Sequence, residues 1–307
     1  MIRFSLPEGQ SAEEQIRSLK KQARDFLSCE ALLKLYDLLD TDAGHFSDAY
    51  DQRKQAQGQV KEVQDIRECR DLEPIREPMY LLLKELGFFT ITEPLRGDAD
   101  SILVPGAACG SCFFRTEKAA SLVTETTRAF TGLSCFRPIN PTERKGSKTA
   151  CDAETEFGVM TRAFQKYLKL SCDFEDEFHG DRNLNRISCI RTFPTEHEAF
   201  RCRIFAAPSS APDQRRADTA DSFLYYLREA RPNDNTPFLA VTDNIYCNRQ
   251  LLQFAYILLK ENIPAGLDVI GCHVYGPETP KTYRISFFLQ EVIALKDWCE
   301  TILRDLG

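Results

Sequence analysis

The chain lacks the features of exported and membrane-spanning proteins. None of its apolar runs reaches the roughly 18 residues needed to span a bilayer. Residues 1–14 do not combine the charged start, apolar stretch and small-residue cleavage site of a secretory signal peptide. We therefore predict no membrane span and expect the protein to be cytoplasmic.

The chain also has fewer basic than acidic residues. The 39 lysines and arginines are outnumbered by 46 acidic residues, which gives a formal net charge of −7. Because phosphate-rich partners bind to clustered basic surfaces, broad nucleic-acid binding is not expected. A local basic pocket is still compatible with this balance.

The distribution of the cysteines, rather than their number, argues against a disulfide scaffold. All 12 are spread over predicted helices and strands of a 307-residue chain, unlike those of a small disulfide-rich domain. Cys109 and Cys112 have Cys-x-x-Cys spacing at a predicted helix start, where a thiolate would be stabilised. The aromatic residue that usually precedes such a redox pair is missing, so a thiol oxidoreductase is the less favoured alternative. No further Cys or His pair has zinc-like spacing, and no metal site is predicted.

Residues 1–97 are predicted to form a helical N-terminal cap on the main domain. Ser11 and Glu14 have capping-box spacing at a helix start. Apolar residues then recur at helical spacing in two stripes, through Ile16, Leu19, Ala23, Phe26 and Leu27 and through Leu32, Leu35, Tyr36 and Leu39. Gly87 is placed to end a short apolar helix over 79–86. If the chain has a protein partner, we expect these helices to bind it.

Residues 98–307 alternate apolar runs with amphipathic segments, which predicts an α/β domain with a parallel sheet flanked by helices. The predicted strands are 101–104, 133–136, 187–193, 201–206, 238–242 and 267–274, with 187–193 and 201–206 forming a hairpin. The predicted helices are 113–130, 153–170, 219–230, 248–261 and 283–306. Ligands of open parallel sheets bind beyond the carboxyl ends of the strands, so polar residues at those ends are candidates for a site.

Small residues follow the first predicted strand and lead into a helix. Gly106, Ala107, Gly110 and Ser111 let a ligand approach the backbone closely, and the helix start offers free N–H groups to an anion. Arg115, just inside that helix, suits a phosphate or a carboxylate. The segment matches neither the Walker pattern nor the dinucleotide glycine fingerprint, so a tight turn with a solvated Arg115 is the alternative.

Acidic residues open the helix predicted over 153–170. Asp152, Glu154 and Glu156 either complement the helix dipole or place a carboxylate in the cleft. In the second case, Glu154 or Glu156 is a base, a metal ligand or an acceptor for a ribose hydroxyl. The preceding polar loop carries Arg144, Lys145 and Lys148.

The segment 209–221 combines hydroxyl, acidic and basic side chains. Asp218 or Thr219 is placed to cap the helix over 219–230. Ser210, Thr219 and Asp221 are candidates for ligand contacts, and Arg215 and Arg216 add positive charge.

The most informative candidate segment follows the strand predicted over 238–242. Polar side chains dominate the stretch 242–250 beyond what one helix cap requires, and loops held by a rigid sheet are where function concentrates. We predict ligand contacts by Thr242, Asn244 and Arg249, with Arg249 as the charge partner. Tyr246 is a candidate catalytic group, but it acts as a base near neutral pH only if its pKa falls far below about 10.

This order of motifs resembles the YdcF/SanA-like (DUF218-type) family, a bacterial group of Rossmann-like domains. The residues that carry the resemblance, over about residues 98 to 275, are Gly106 and Ala107, Arg115, Glu154 and Glu156, Ser210 with Thr219 and Asp221, and Thr242 with Arg249. Tyr246 stands where the family has a histidine and Asp221 where an asparagine is usual, and the glycine pair of the first loop is reduced to Gly-Ala-Ala. Any chemistry that depends on the histidine is thereby put in question.

The resemblance implies a Rossmann-like fold with a pocket for a nucleotide-like or S-adenosylmethionine-like molecule, without a settled reaction. Our leading prediction is therefore a protein that binds such a small-molecule ligand, with enzymatic action on it left open; Glu154, Glu156 and Tyr246 are the catalytic candidates. The alternative is a non-catalytic interaction or regulatory protein on the same fold. The prediction requires the loops near residues 106, 154, 219 and 244 to meet at one edge of the sheet.

Overall fold

A computed structural model describes residues 1–52, 66–89, 93–95, 97, 99–141, 143, 152–181, 183–197, 199–232, 236–272 and 283–306. Its helices are α1 Ala12–Leu27, α2 Glu30–Leu38, α3 Phe46–Tyr50, α4 Arg76–Glu85, α5 Cys109–Ala120, α6 Glu156–Tyr167, α7 Thr219–Ala230, α8 Cys247–Lys260 and α9 Ile285–Asp305, with 3₁₀ turns at Arg70–Ile75 and Asn244–Tyr246. The strands are β1 Ser101–Pro105, β2 Ala129–Ser134, β3 Glu175–His179, β4 Ser188–Phe193, β5 Arg201–Ala206, β6 Phe238–Thr242 and β7 Leu267–Gly271. Within these ranges, no helix is long and apolar enough to cross a membrane.

The seven strands form one sheet in the order β3-β4-β5-β2-β1-β6-β7. Strands β1, β2, β5, β6 and β7 are parallel, whereas β4 runs antiparallel to β5 and β3 antiparallel to β4. After β1 and β2, the chain crosses to the sheet edge at β3 and returns through β4 to β5. It then passes back across the sheet to place β6 on the other side of β1. The order therefore reverses between β1 and β6, and that switch point is where open α/β sheets bind ligands.

Strand β1 shows how the sheet is buried on both faces. Ile102 and Val104 belong to the apolar core shared with α5 and α6, whereas Leu103 belongs to the core shared with α7, α8 and α9. Burying both faces explains the continuous apolar runs of the parallel strands. The predicted fold class is confirmed: the chain is an α/β protein with a Rossmann-like, mostly parallel sheet flanked by helices and an N-terminal helical segment.

The N-terminal helices pack directly on this domain. Their apolar residues share one core with α8 and α9, and Leu6 pairs with Leu267 of β7 through an isolated antiparallel bridge. The predicted capping box of α1 is present, since Ser11 Oγ accepts from Glu14 N while the Glu14 carboxylate accepts from Ser11 N. Gly87 follows α4 with a φ of 92°, as expected at a helix end. The predicted domain boundary at Asp98 lies outside the described residues.

Two predicted elements after β1 are wrong in their bounds. The helix expected over 113–130 is α5, which begins at Cys109 and ends at Ala120. The strand expected over 133–136 is β2, which begins at Ala129. A glycine inside β2 obscured the strand: a Cβ atom at Gly132 would lie 3.0 Å from Met160 Cγ and 3.1 Å from Ile204 Cγ1. Gly132 is therefore required by the close packing of α6 and β5, although glycine weakens a strand.

The hairpin β4–β5 and the elements from α7 to α9 agree with the predictions. Strands β5 and β6 and helix α7 match to the residue, and the other elements differ by a few residues at their ends. Strand β3 was not predicted, because all five of its residues are exposed and leave no apolar pattern.

Candidate functional site

An arginine that pairs with a buried carboxylate follows each of the strands β1, β2, β5 and β6. These pairs join Arg115 to Asp243 at 3.0 Å, Arg137 to Glu156 at 3.3 Å, Arg215 to Asp221 at 2.5 Å and Arg249 to Glu291 at 2.8 Å. Because the four strands are parallel, all four arginines emerge on the side of the sheet where the strands end.

Glu156, the first residue of α6, lies against the loop after β1. One oxygen, Oε1, accepts from Ser134 Oγ at 3.3 Å, and the other accepts from Arg137 Nε at 3.3 Å. A Cβ atom at Gly106 would lie 2.7 Å from the Glu156 carboxyl carbon and closer still to Oε1, so only glycine leaves room for the carboxylate. Glu154, the other candidate, is exposed. Of the two predicted acids, the structure therefore brings Glu156 to the small-residue loop.

In the described part of the chain, Glu156 and a second carboxylate pair with the same arginine. Arg137 also pairs with Glu143 at 2.6 Å, and all three side chains are at most 8% exposed. These two carboxylates and one guanidinium leave one formal negative charge among them. A buried charge is costly unless it is paired or hydrogen-bonded, so this group favours donors or cations. The predicted basic residues Arg144, Lys145 and Lys148 lie outside the described residues.

The loop after β1 is held from behind by Arg115. The guanidinium donates to Pro105 O at 2.9 Å, to Gly106 O at 3.0 Å and to the Asp243 carboxylate at 3.0 Å. Burial alone would lower the pKa of Arg115, but the Asp243 carboxylate outweighs it and raises the pKa. Arg115 is thus neither solvated nor directed to a ligand: it positions the loop.

The remaining residues of this loop belong to a helix start. Helix α5 begins at Cys109, so Gly110 and Ser111 lie in its first turn rather than in the loop, and Ala107 O accepts from Arg137 at 3.1 Å. Cys112 is buried and donates to Ala107 O at 3.3 Å, and burial raises the pKa of its thiol. A reactive thiolate needs the opposite environment, so this geometry opposes the oxidoreductase alternative.

The segment before α7 forms a compact polar cluster. Asp218 caps the helix and forms a capping box with Asp221, which confirms the predicted capping role. Asp221 also accepts from Arg215 at 2.5 Å and from Ser210 N at 3.3 Å. Burial raises the pKa of Asp221, but the hydrogen bonds from Arg215 and Ser210 outweigh it and leave the pKa below its ordinary value. Thr219, the first residue of the helix, is half-buried.

The segment after β6 is more buried than its polar composition suggests. Tyr246 packs edge-on against Phe287, and its ring centre lies 5.6 Å from the guanidinium carbon of Arg115 and 5.1 Å from that of Arg249. Arg249 itself pairs with Glu291 of α9, whose side chain is fully buried. Its charge therefore already has a partner within the protein.

Two further residues of this segment face the interior. Asn244 Nδ2 donates to Phe88 O at 3.1 Å, which ties the segment to the N-terminal region. Thr242 is fully buried, and its hydroxyl has no hydrogen-bond partner in the described part of the chain.

Polar contacts, together with the close approach of Glu156 to Gly106, connect the four loops across the sheet. Ser222 Oγ donates to Ser134 O at 3.1 Å, and Ser134 Oγ in turn donates to Glu156. The connected residues, in order across the sheet, are Asp221, Ser222, Ser134, Glu156, Gly106, Arg115 and Asp243. The loops near residues 106, 154, 219 and 244 thus meet at one edge, as the prediction requires.

Sequence reasoning missed several members of this set. Asp243 could have been identified from the sequence, because it is an acid directly after an apolar strand. Glu291 also has a signal, since it is a charged residue on the apolar face of a long helix that carries Phe287 and Leu295. Arg137, Glu143 and Ser134 gave no comparable signal, because their role depends on how α6 packs against β2.

Within the described residues, no group of three or more His, Cys, Asp or Glu side chains is placed to hold a metal ion. In comparisons with known proteins, no family model, no curated protein and no solved structure matches the chain. The YdcF/SanA-like resemblance therefore stays a prediction.

Proposed function

We propose that the protein binds a nucleotide-like or S-adenosylmethionine-like small molecule at the carboxyl edge of its sheet, with Glu156 as the main acceptor. The observation that supports this proposal is the buried Glu156 carboxylate over Gly106, in a group of described residues where two carboxylates share the Arg137 guanidinium. It lies beside the end of β1, next to the switch point of the sheet.

The proposed ligand chemistry follows from the groups at this edge. A carboxylate at the edge of a Rossmann-like sheet accepts hydrogen bonds from ribose hydroxyls. The first turn of α5 has no side-chain cap at Ala108, so its N–H groups suit the anionic part of the same ligand. If the protein is an enzyme, Glu156 is the residue we propose as its base. A cytoplasmic location and a YdcF/SanA-like origin are part of the same proposal.

A pair of matched variants tests the role of Glu156. Glu156→Gln keeps the shape but removes the charge, and Glu154→Gln makes the same change at an exposed position two residues away. Hydrogen bonds to charged groups contribute about 1.5–3 kcal/mol, so Glu156→Gln should weaken binding by about ten- to a hundredfold. Glu154→Gln should bind like the unmodified protein.

The measurement is ligand-induced thermal stabilisation, followed by calorimetric titration of any ligand that raises the Tm. The probes are ATP, AMP, S-adenosylmethionine and S-adenosylhomocysteine. The proposal fails if none of them stabilises the unmodified protein. It also fails if the two glutamine variants bind equally well.

A specific observation favours a non-catalytic interaction or regulatory protein as the second candidate. The switch point between β1 and β6 is occupied by the Arg115–Asp243 pair, whose side chains are only 2% and 1% exposed. The protein's own side chains thus fill the place where related sheets bind dinucleotides. Native mass spectrometry of freshly purified protein separates the candidates: a retained small molecule supports ligand binding, and a co-purifying macromolecule supports the second reading.

A further inference from the structure

Strand β3 is the outermost strand on one side of the sheet, and each of its five residues is exposed. It pairs with β4 on its inner side, from Glu175 opposite Thr192 to His179 opposite Ser188. Among the described strands, none lies on its outer side. Alternate backbone N–H and C=O groups of an edge strand point outward and can pair with another extended chain.

The segment that contains β3 is strongly acidic. Residues 171–181 include five acidic residues and no lysine or arginine. Asp176 is neutralised by Arg191 of β4 at 2.5 Å. Glu175 and Glu177 are exposed, although Glu177 Oε1 lies 3.1 Å from His179 Nε2 of the same strand. Charge of one sign on an edge discourages pairing with an identical edge. A second copy of this chain would oppose acid to acid and is therefore a poor occupant.

The two faces of β3 differ in chemistry. Because side chains alternate along a strand, Glu175 and Glu177 lie on one face, and Asp176 and Phe178 lie on the other. Phe178 is 54% exposed and stacks on Phe136, with ring centres 6.3 Å apart. Charged side chains are sufficient to prevent unwanted pairing at a free strand edge. This protective role does not explain an exposed phenylalanine at the same edge.

We infer that the outer edge of β3 is a docking site for an extended, basic segment of another protein, which adds to the sheet as a further strand. Backbone pairing supplies affinity in this mode, and alternate side chains supply specificity. Lysines or arginines at every second position meet Glu175 and Glu177. Apolar residues at the positions between them pack over Phe178. The partner segment is thus an alternating basic and apolar strand.

Binding of synthetic peptides to the full chain tests this inference. A fluorescein-labelled peptide of alternating lysine and valine should raise its anisotropy on titration with the protein, and amides 175–179 should gain protection from hydrogen exchange. The same peptide with N-methylated valine amides keeps its charge but loses the N–H groups needed for pairing. We expect it to bind at least tenfold more weakly. Equal binding of the two peptides would show that charge alone is recognised and would overturn the inference.

Variants of the protein provide a second test of this inference. Glu175→Lys with Glu177→Lys should weaken binding of the alternating peptide at least tenfold. The control, Glu13→Lys with Glu125→Lys, makes the same change in net charge at exposed positions outside β3 and should have little effect. Phe178→Ser should weaken binding without changing its salt dependence. The inference is overturned if the control weakens binding as strongly as the β3 variant, if no peptide binds, or if the free protein dimerises through β3.

Discussion

Replacing Gly106 with alanine is a direct test of how Glu156 is held. The new methyl group would lie 2.7 Å from the Glu156 carboxyl carbon and 3.0 Å from Leu133 O. The carboxylate is the end of a flexible side chain, but Ser134 and Arg137 both donate to it, so it leaves only by losing those bonds. The carbonyl of Leu133 belongs to β2 and has little freedom to move.

The expected cost follows from these contacts. Overpacking a tight site costs about 1–3 kcal/mol, and losing hydrogen bonds to a charged group costs a similar amount. The two effects overlap, because a carboxylate that moves away relieves the clash. We therefore expect Gly106→Ala to lower the free energy of unfolding by about 2–4 kcal/mol. Because the substitution displaces the Glu156 carboxylate, ligand binding at the site should also be lost.

Urea denaturation of matched variants gives the measurement. Gly97→Ala is the control, because a Cβ atom at Gly97 meets none of the described residues within 4 Å, and its effect should stay within about 0.5 kcal/mol. In a Glu156→Ala background, Gly106→Ala should cost clearly less than in the unmodified chain, since the clashing carboxylate is gone. The reasoning is refuted if Gly106→Ala is as mild as Gly97→Ala. If Gly106→Ala lowers the free energy of unfolding by the same amount in the Glu156→Ala background, the clash is with Leu133 O and not with the carboxylate.

Two further predictions concern the buried ion pairs. Arg115→Met leaves Asp243 buried without its countercharge and should lower the free energy of unfolding by about 3–5 kcal/mol in urea denaturation, and adding Asp243→Asn should recover part of this loss. The folded-state pKa of Asp221 is below its ordinary value, so its stabilising contribution is complete above the unfolded pKa of about 3.9 and is lost as the pH falls through the lower, folded pKa. Thermal melts of the unmodified protein and of Arg215→Gln should accordingly differ most near neutral pH and converge below about pH 4, and a Tm difference that persists in acid would contradict this assignment.

The parallel part of the fold was predictable because burial on both faces leaves a clear mark in the sequence. Strands β5 and β6 are short apolar runs, and helix α7 begins at a capping box, so each was predicted to the residue. Strand β3 leaves no such mark, because a fully exposed edge strand has neither an apolar run nor an apolar alternation. Its position follows only from its pairing with β4.

The site was predictable by region but not by residue. The carboxyl ends of the parallel strands were correctly identified as the place where polar residues gather. The choice between Glu154 and Glu156 depends on how α6 docks against the loop after β1, which no local pattern specifies. Arg115 was predicted to contact a ligand because it lies just inside the helix after the small-residue loop. Its acceptor in the structure is Asp243, which is 128 residues away in the chain and could not be identified from a local pattern.

Stability alone does not account for four arginines paired with buried carboxylates where the parallel strands end. Well-packed apolar residues of similar volume stabilise a protein as well as a buried pair does, or better. What the pairs provide is fixed geometry, because each arginine holds a loop or a helix start in one position, as a binding site requires. Within the described residues, Asp243 and Glu291 each have an arginine that pairs with no second carboxylate, and the arginine of Asp221 also pairs with the half-exposed Asp218. Among the described residues, Glu156 is the member of the set whose arginine also pairs with a second buried carboxylate, Glu143, and for this reason we propose it as the group that accepts from a ligand.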